Sequence, residues 1–407
     1  MLIHREPLKR NDAVFAVVVL AASIVLLLIP SRFHDAGHPR TLQARARILE
    51  VDNSGIQTFG LVRQGEQDAT VAILSGRFRG KKLPAVNTLL GRMDIDKVFD
   101  PGDVALVGID LDRDKNEIVS VNLIDHYRIH LELILFGLFC LLLVGYAGWT
   151  GLKSLVSFVF TAVMIWKALL PLFLLGWNPV LISLAIVTVL SGVIIFLVGG
   201  LERKGLVAFL GALSGIALTC VFSLTFGAGF NIHGAVKPFS ETLLYSGFPH
   251  LNLARIFLAG VFLASSGAVM DIAMDISASM KEVHDKHPQI GVIDLIKSGF
   301  NVGRAVIGTM TTTLLLAYSG GYMTMLMVFL AQGTPMVNVF NLNYVASEIL
   351  HTLVGSFGLV LVAPLTAVIG GFMYSRTEPA ESGQPPETAG RVSAVAARSG
   401  DSGSTPQ

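Results

Sequence analysis

Residues 253–277 read LARIFLAGVFLASSGAVMDIAMDIS. From Leu253 to Met270 the 18 residues are apolar or small apart from Arg255 and two serines. As a helix they span about 27 Å, close to the ~30 Å hydrocarbon core of a bilayer. Asp271 and Asp275 then follow four residues apart, on one helical face. A run of this kind needs either lipid or a large protein core around it, and composition decides between them. Of 407 residues, 52% are hydrophobic and only 14% charged, with a mean hydropathy of +0.65. Soluble domains carry about 25% charged residues, so this chain lacks the polar surface to face water all round. The reading is a polytopic membrane protein.

Working outward, a first span covers Ala13 to Pro30, preceded by Arg5, Lys9 and Arg10. It is long for a signal-peptide core and no small-residue cleavage site follows, which predicts an uncleaved anchor. Further spans are expected near 131–149, 154–176, 180–200, 205–227, 253–275, 305–331 and 349–373, for about eight in all. With the N-terminus inside, the cytoplasmic segments hold Arg5, Lys9, Arg10, Lys153, Arg203, Lys204, Lys281, Lys286, Lys297, Arg304 and Arg376. The short outer connections hold only Lys237 and Arg255. The excess predicts both termini in the cytoplasm of a bacterial cell membrane and residues 31–130 outside.

Residues 31–130 turn soluble and strand-like. ARARILEV (44–51) alternates polar and apolar side chains, and 69–74, 103–108 and 117–124 read similarly, with turns at Asp52–Gly55, Pro101–Asp103 and Asp112–Asn116. Short strands at this density suggest a small extracytoplasmic OB-like β-barrel. The basic run Arg77-Phe78-Arg79-Gly80-Lys81-Lys82 is read as a solvated loop. The expected organisation is therefore 1–30 N-terminus and anchor, 31–130 β domain, 131–376 seven-helix bundle, and a disordered cytoplasmic tail at 377–407, rich in Pro, Gly, Ser and Ala.

Charge and motifs exclude several function classes. Lys and Arg number 30 against 29 Asp and Glu, so no nucleic-acid partner is expected. Cys140 and Cys220 both lie in apolar runs, giving neither a disulfide framework nor a zinc pattern. There is no P-loop, HExxH or dinucleotide fingerprint. His284 and His287, three apart, are read as a hydrated loop. Ser266 with His351 is the one intramembrane serine-protease pair to entertain, and their expected depths oppose it. No enzyme, metal or cofactor is expected.

Ionisable groups within spans mark candidate sites. Lys167, beside Trp166, either snorkels or stacks on an aromatic ring, or counters a buried carboxylate. Asp271 and Asp275 either emerge into headgroup water or form an inner-side ion or proton site, with Arg304 as counter-charge. The seventh span carries Thr309, Thr311, Thr312 and Thr313, then Gly320-Gly321, which offers a mid-bilayer break. Residues 290–300 read as an amphipathic helix on the inner surface. Glu348 stands at the outer end of the last span with His351 following, and Pro364 would kink that helix. Gly211 and Gly215 form a GxxxG packing pattern.

Three stretches, GAVMDIAMDIS (267–277), LIKSGFNVGRAVIGTMTTTLLLAYSGG (295–321) and NYVASEILHTLVGSFGLVLVAPLTAV (343–368), resemble the YibE/F-like family of bacterial polytopic membrane proteins. Asp271, Arg304, Gly308, Thr309, Thr313, Tyr318, Glu348 and Pro364 fall on the motif positions that carry the resemblance. Ala305 and Thr312 depart from it, at positions where an acidic residue and an Asn would be expected. The resemblance implies the anchor, β domain and helix bundle, and leaves the substrate open.

The expectation is a secondary transporter or permease for an ion or small solute. Asp271, Asp275 and Arg304 would form an inner site, Thr309 and Thr313 would line the path, and Glu348 would stand at the outer mouth. The alternative is a non-transporting sensor or docking protein acting through the β domain. Expected partners are the lipid bilayer, a small ion or solute and, on the alternative reading, an extracytoplasmic protein or envelope component; a homo-oligomer is compatible with both.

Overall fold

The computed structural model describes residues 10–30, 41–112 and 117–375. The expected disordered tail at 377–407, Arg5, Lys9 and Arg376 of the charge count, and most of the Asp112–Asn116 turn lie outside the described residues.

Helix α1 (Arg10–Leu28) leads into six strands: β1 (Thr41–Asp52), β2 (Ile56–Phe59), β3 (Val62–Ile73), β4 (Lys82–Leu90), β5 (Val104–Leu111) and β6 (Ile118–His126). β1 pairs antiparallel with both β3 and β5, while β6 joins β5 to β4, so five strands close into a barrel. β4 and β6 run parallel, with Val86 opposite Asn122. β2 is folded onto β3 by a tight turn at Gly60, whose φ of 63° suits glycine. The expected strands at 44–51, 69–74, 103–108 and 117–124 are present. β4 escaped the sequence reading because Pro84, opposite Thr70, argues against a strand interior.

Alternation fills the barrel with Ala46, Ile48, Val71, Ile73, Val107 and Ile109. Phe78 of the basic run also points into this core, and Arg77 and Lys81 lie over its ring at 5.7 and 5.3 Å. A buried polar knot ties the segment after β4 to the barrel. Gln67 Nε2 donates to the Asn53 side chain and the Phe99 carbonyl at 2.7 and 2.8 Å, and Asn87 Nδ2 donates to the Lys97 carbonyl at 2.7 Å.

The remaining elements are helical: α2 (Ile129–Met164), a π-helical turn (Ile165–Leu169), α3 (Leu170–Leu174), α4 (Pro179–Gly199), α5 (Arg203–Gly229), α6 (Ser240–Tyr245), α7 (Leu253–Lys286), α8 (Val292–Ala331), α9 (Met336–Asn341) and α10 (Asn343–Ser375). Among the described residues seven helices are long and apolar enough to cross a membrane, where about eight were expected. The difference lies at residues 129–174, a 46-residue run holding two of the expected spans. Straight, it would reach about 69 Å, twice the hydrocarbon core. Gly148 breaks it, with φ 55° and ψ −124°. The second half of the run lies along α1, with Lys153 Nζ at 3.4 Å from Asp12 and Lys167 Nζ at 2.9 Å from the Ile29 carbonyl. Downstream, Pro171 has no N–H to offer Lys167, and the ladder passes through the π-helical turn there.

Three further expectations are corrected. Residues 290–300 are not a separate surface helix: α8 runs unbroken from Val292, with Leu295, Gly299 and Gly303 buried in the bundle. Gly320-Gly321 does not interrupt it either, and both glycines keep helical geometry. Helical glycine costs only about 1 kcal/mol relative to Ala, too little to force a break. His284 sits within the last turns of α7, stacked 6.2 Å from Tyr374, rather than in a loop.

Close approach through small residues holds α5, α7, α8 and α10 together. A Cβ on Gly215 would lie 2.9 Å from Val362 and 3.0 Å from Val269, one on Gly303 2.9 Å from Ala363, and one on Gly358 within 2.1 Å of the Thr219 hydroxyl. The GxxxG reading at Gly211 and Gly215 is thereby a packing seam against α10. Gly358→Ala should destabilise the detergent-solubilised protein by about 1–3 kcal/mol through overpacking. Thr219→Ala in the same chain should restore most of that loss, and Gly308→Ala, with open space around it, should change little. Thermal unfolding followed by circular dichroism checks all three.

Candidate functional site

Three segments converge beyond the glycine-packed seam. Between α5 and α7 the chain turns back at Gly234, whose φ is 83° and whose Cβ would lie 2.2 Å from the Ala254 nitrogen, so no side chain fits. That turn carries Lys237 over the Phe257 ring at 5.8 Å. On α10, Tyr344, Glu348 and His351 fall at helical spacing on one face. On α8, Tyr318, Tyr322 and Met325 do the same.

Together these residues line a cavity of about 630 Å³ with Phe239, Ser240 and Glu241. Lys237 Nζ is ion-paired with Glu348 Oε1. The second carboxylate oxygen of Glu348 lies 3.9 Å from His351 Nδ1, and the Glu348 side chain is only 16% exposed. His351 stacks on Tyr318 with ring centroids 4.3 Å apart, and meets Phe257 edge-on at 6.5 Å. Tyr318 and His351 are among the deepest lining residues on their helices and form the cavity floor. Both His351 nitrogens and the Tyr318 hydroxyl are buried without a hydrogen-bond partner among the described residues. Leaving a buried polar group unsatisfied costs about 1–3 kcal/mol; these atoms are covered, so a solute reaches them only once the Tyr318–His351 stack shifts.

Of the candidate path residues Asp271, Asp275, Arg304, Thr309, Thr313, Glu348 and Lys167, the structure brings only Glu348 into this cavity, where Tyr318 and His351 join it. Asp271 and Asp275 occupy the open face of α7, and Arg304 is exposed near the start of α8. Among the described residues neither aspartate is ion-paired with Arg304. Thr309 donates to the Val306 carbonyl at 3.0 Å, and Thr313 to the Thr309 carbonyl at 2.9 Å. Both lie outside the cavity lining. Lys167 caps the end of α1 through the Ile29 carbonyl, with Trp166 exposed beside it. Ser266 spends its hydroxyl on the Leu263 carbonyl at 2.7 Å. No group of three or more His, Cys, Asp or Glu side chains is arranged to hold a metal among the described residues.

The model of the YibE/F-like protein family matches residues 135–376. The chain belongs to the YibE/F-like family. The matched region begins after the barrel and takes in the whole cavity, while α1 and the β domain lie before it. No curated protein and no solved structure matches the chain.

In the sequence of this YibE/F-like chain Lys237 reads only as a marker of orientation. A lone lysine in a short loop, facing a chain with one glutamate at a helix start, was the available signal for the pair. Glu348→Gln and Lys237→Met should each lower stability by about 1–3 kcal/mol by stranding the other charge. The double variant should lose less than the sum of the two. Thermal unfolding of the four proteins completes the cycle.

Proposed function

We propose that this protein is a multi-pass permease for a small solute, with the cavity at Glu348 as its binding site on the β-domain side of the membrane. The family match and the seven long apolar helices support a membrane protein. The excess of Lys and Arg in the connections on the other side supports cytoplasmic termini and an external barrel. The strand order around β1, with its one parallel contact, supports the OB-like reading of that barrel.

The observation that carries the proposal is the half-open cavity itself. Its ~630 Å³ lies within the size range of small-molecule sites. It is lined on one side by the 235–242 segment and, where α8 and α10 meet, by the stacked Tyr318–His351 pair. The chemistry of the site favours a bipolar solute. A bare cation drawn to Glu348 would strand Lys237, and a bare anion drawn to Lys237 would strand Glu348. Glu241 in the same lining adds a second carboxylate for an ammonium group. A zwitterion offers an ammonium to Glu348 and an anionic group to Lys237, so neither protein charge loses its counter-ion. Three tyrosines and Phe239 line the remaining wall and suit an ammonium or an apolar side group. Passage to the other face requires the Tyr318–His351 pair to part and the helices to rearrange, since Asp271, Asp275, Arg304, Thr309 and Thr313 lie exposed outside the cavity. No ATP-binding motif is present in the sequence, so coupling to an ion gradient or to a separate energising subunit would be required.

Proteoliposome uptake of a panel of cationic, anionic and zwitterionic amino-acid-sized solutes tests this. Zwitterion flux should fall by about tenfold or more in Glu348→Gln, the scale of losing one charge-assisted contact. Flux unchanged by Glu348→Gln and Lys237→Met would overturn the site. Absence of flux for every solute, with function lost on removing the β domain alone, would favour the sensing or docking role.

A further inference from the structure

The barrel carries an apolar surface that the cavity and its solute do not use. At the β2–β3 turn Phe59 is 62% exposed and Leu61 85%; near the end of β4 Leu90 is 62% exposed and Met93 70%. Strand register places Phe59 and Leu90 at one end of the sheet: Phe59 pairs with Val62, and Gln64 of the same strand pairs with Leu90. There Leu61 and Met93 line a common shallow groove with Gly91 and Val98. Such large apolar groups clustered at a hairpin tip are unusual on a small soluble domain.

Their place in the topology says what covers them. β4 and β6 are parallel neighbours in register at Val86 and Asn122, so Leu90 and His126, each four residues on, end on the same rim. β6 leaves that rim through Tyr127 and Arg128 directly into α2. Side chains confirm the proximity. Lys97, in the same groove as Leu61 and Met93, lies 3.8 Å from Asp125, and Phe99 packs 4.6 Å from the His126 ring. The Gln67–Asn87 knot fixes this segment rigidly to the barrel. The opposite rim, where β3 ends, carries the basic run Arg77–Lys82 instead.

We infer that the Phe59–Leu61 turn, with Leu90 and Met93, dips into the lipid interface beside the start of α2 and seats the barrel on the bilayer. The inference rests on the reading that α2 crosses a membrane. Where it does, the apolar rim stands at the height at which headgroups give way to acyl chains. The charges around the patch are mixed: Arg92 is held by Asp94 at 2.7 Å, and Lys97 faces Asp125. Seating therefore comes from apolar burial and does not need anionic lipid. A bilayer is favoured over a soluble partner because the patch adjoins the membrane-entering chain.

The test uses the full-length protein in nanodiscs, with Cys140→Ser and Cys220→Ala replacing the two native cysteines. An environment-sensitive fluorophore is placed by Leu61→Cys, Arg79→Cys or Leu135→Cys, and quenched either by spin-labelled lipid or by aqueous iodide. The Leu61 label should be blue-shifted and quenched several-fold more by lipid than the Arg79 label on the opposite rim. That pattern should persist in purely zwitterionic phosphatidylcholine. A Leu61 label quenched by iodide as strongly as the Arg79 label would overturn the inference, as would a Leu61 label shielded from both quenchers by a second copy or another protein. The Leu135 label, on an exposed face of α2, separates the two readings. If it escapes lipid quenching, the span itself is wrong.

Discussion

Helices surrounded by lipid gain little from apolar burial against one another, because acyl chains are as apolar as leucine. What holds α5, α7, α8 and α10 together is close backbone approach, and that is available only where side chains are missing. Gly211, Gly215, Gly299, Gly303 and Gly358 each face a neighbour that a Cβ would strike. These contacts set the crossing points of the bundle, and the crossing points set where the far ends of α8 and α10 stand. Tyr318, Glu348 and His351 meet because the seam below them is closed.

Polar groups in such a bundle must find partners nearby, and most do. Thr309 and Thr313 turn back on their own helix, Asp12 meets Lys153, and Lys167 closes the end of α1. Ser277 donates to the Lys204 carbonyl at 2.7 Å and shares a hydrogen bond with the Tyr374 hydroxyl at 2.8 Å, tying α7 to α10. The Glu348 cluster differs. Its ion pair is satisfied, yet His351 and Tyr318 keep buried polar atoms unspent beside an open volume. That combination gives the cavity its case as a site.

Much of the architecture was legible in the sequence because it rests on composition and period. Apolar runs of bilayer length gave the long helices, and strict alternation gave four barrel strands. Errors came where local pattern underdetermines geometry. One positive-φ glycine, Gly148, lets a single helical element hold two expected spans, and nothing in 145–151 (GYAGWTG) distinguishes that kink from a loop. Gly320-Gly321 looked like a break because glycine is weak in helices, but an uninterrupted backbone ladder keeps α8 whole. Within the site, Glu348 was found because a carboxylate at a span boundary is conspicuous. Lys237 was not tied to it because 111 residues separate them and only the turn at Gly234 brings them together.

The proposed binding site opens on the same side of the membrane as the barrel. A cysteine at Met325, which lines the cavity, can be compared with one at Ser75 on the barrel in intact spheroplasts treated with a membrane-impermeant thiol reagent. Both should be modified from outside, with added zwitterionic solute slowing reaction at position 325 alone. Modification at 75 from outside, with 325 reached only after the membrane is opened, would contradict the arrangement.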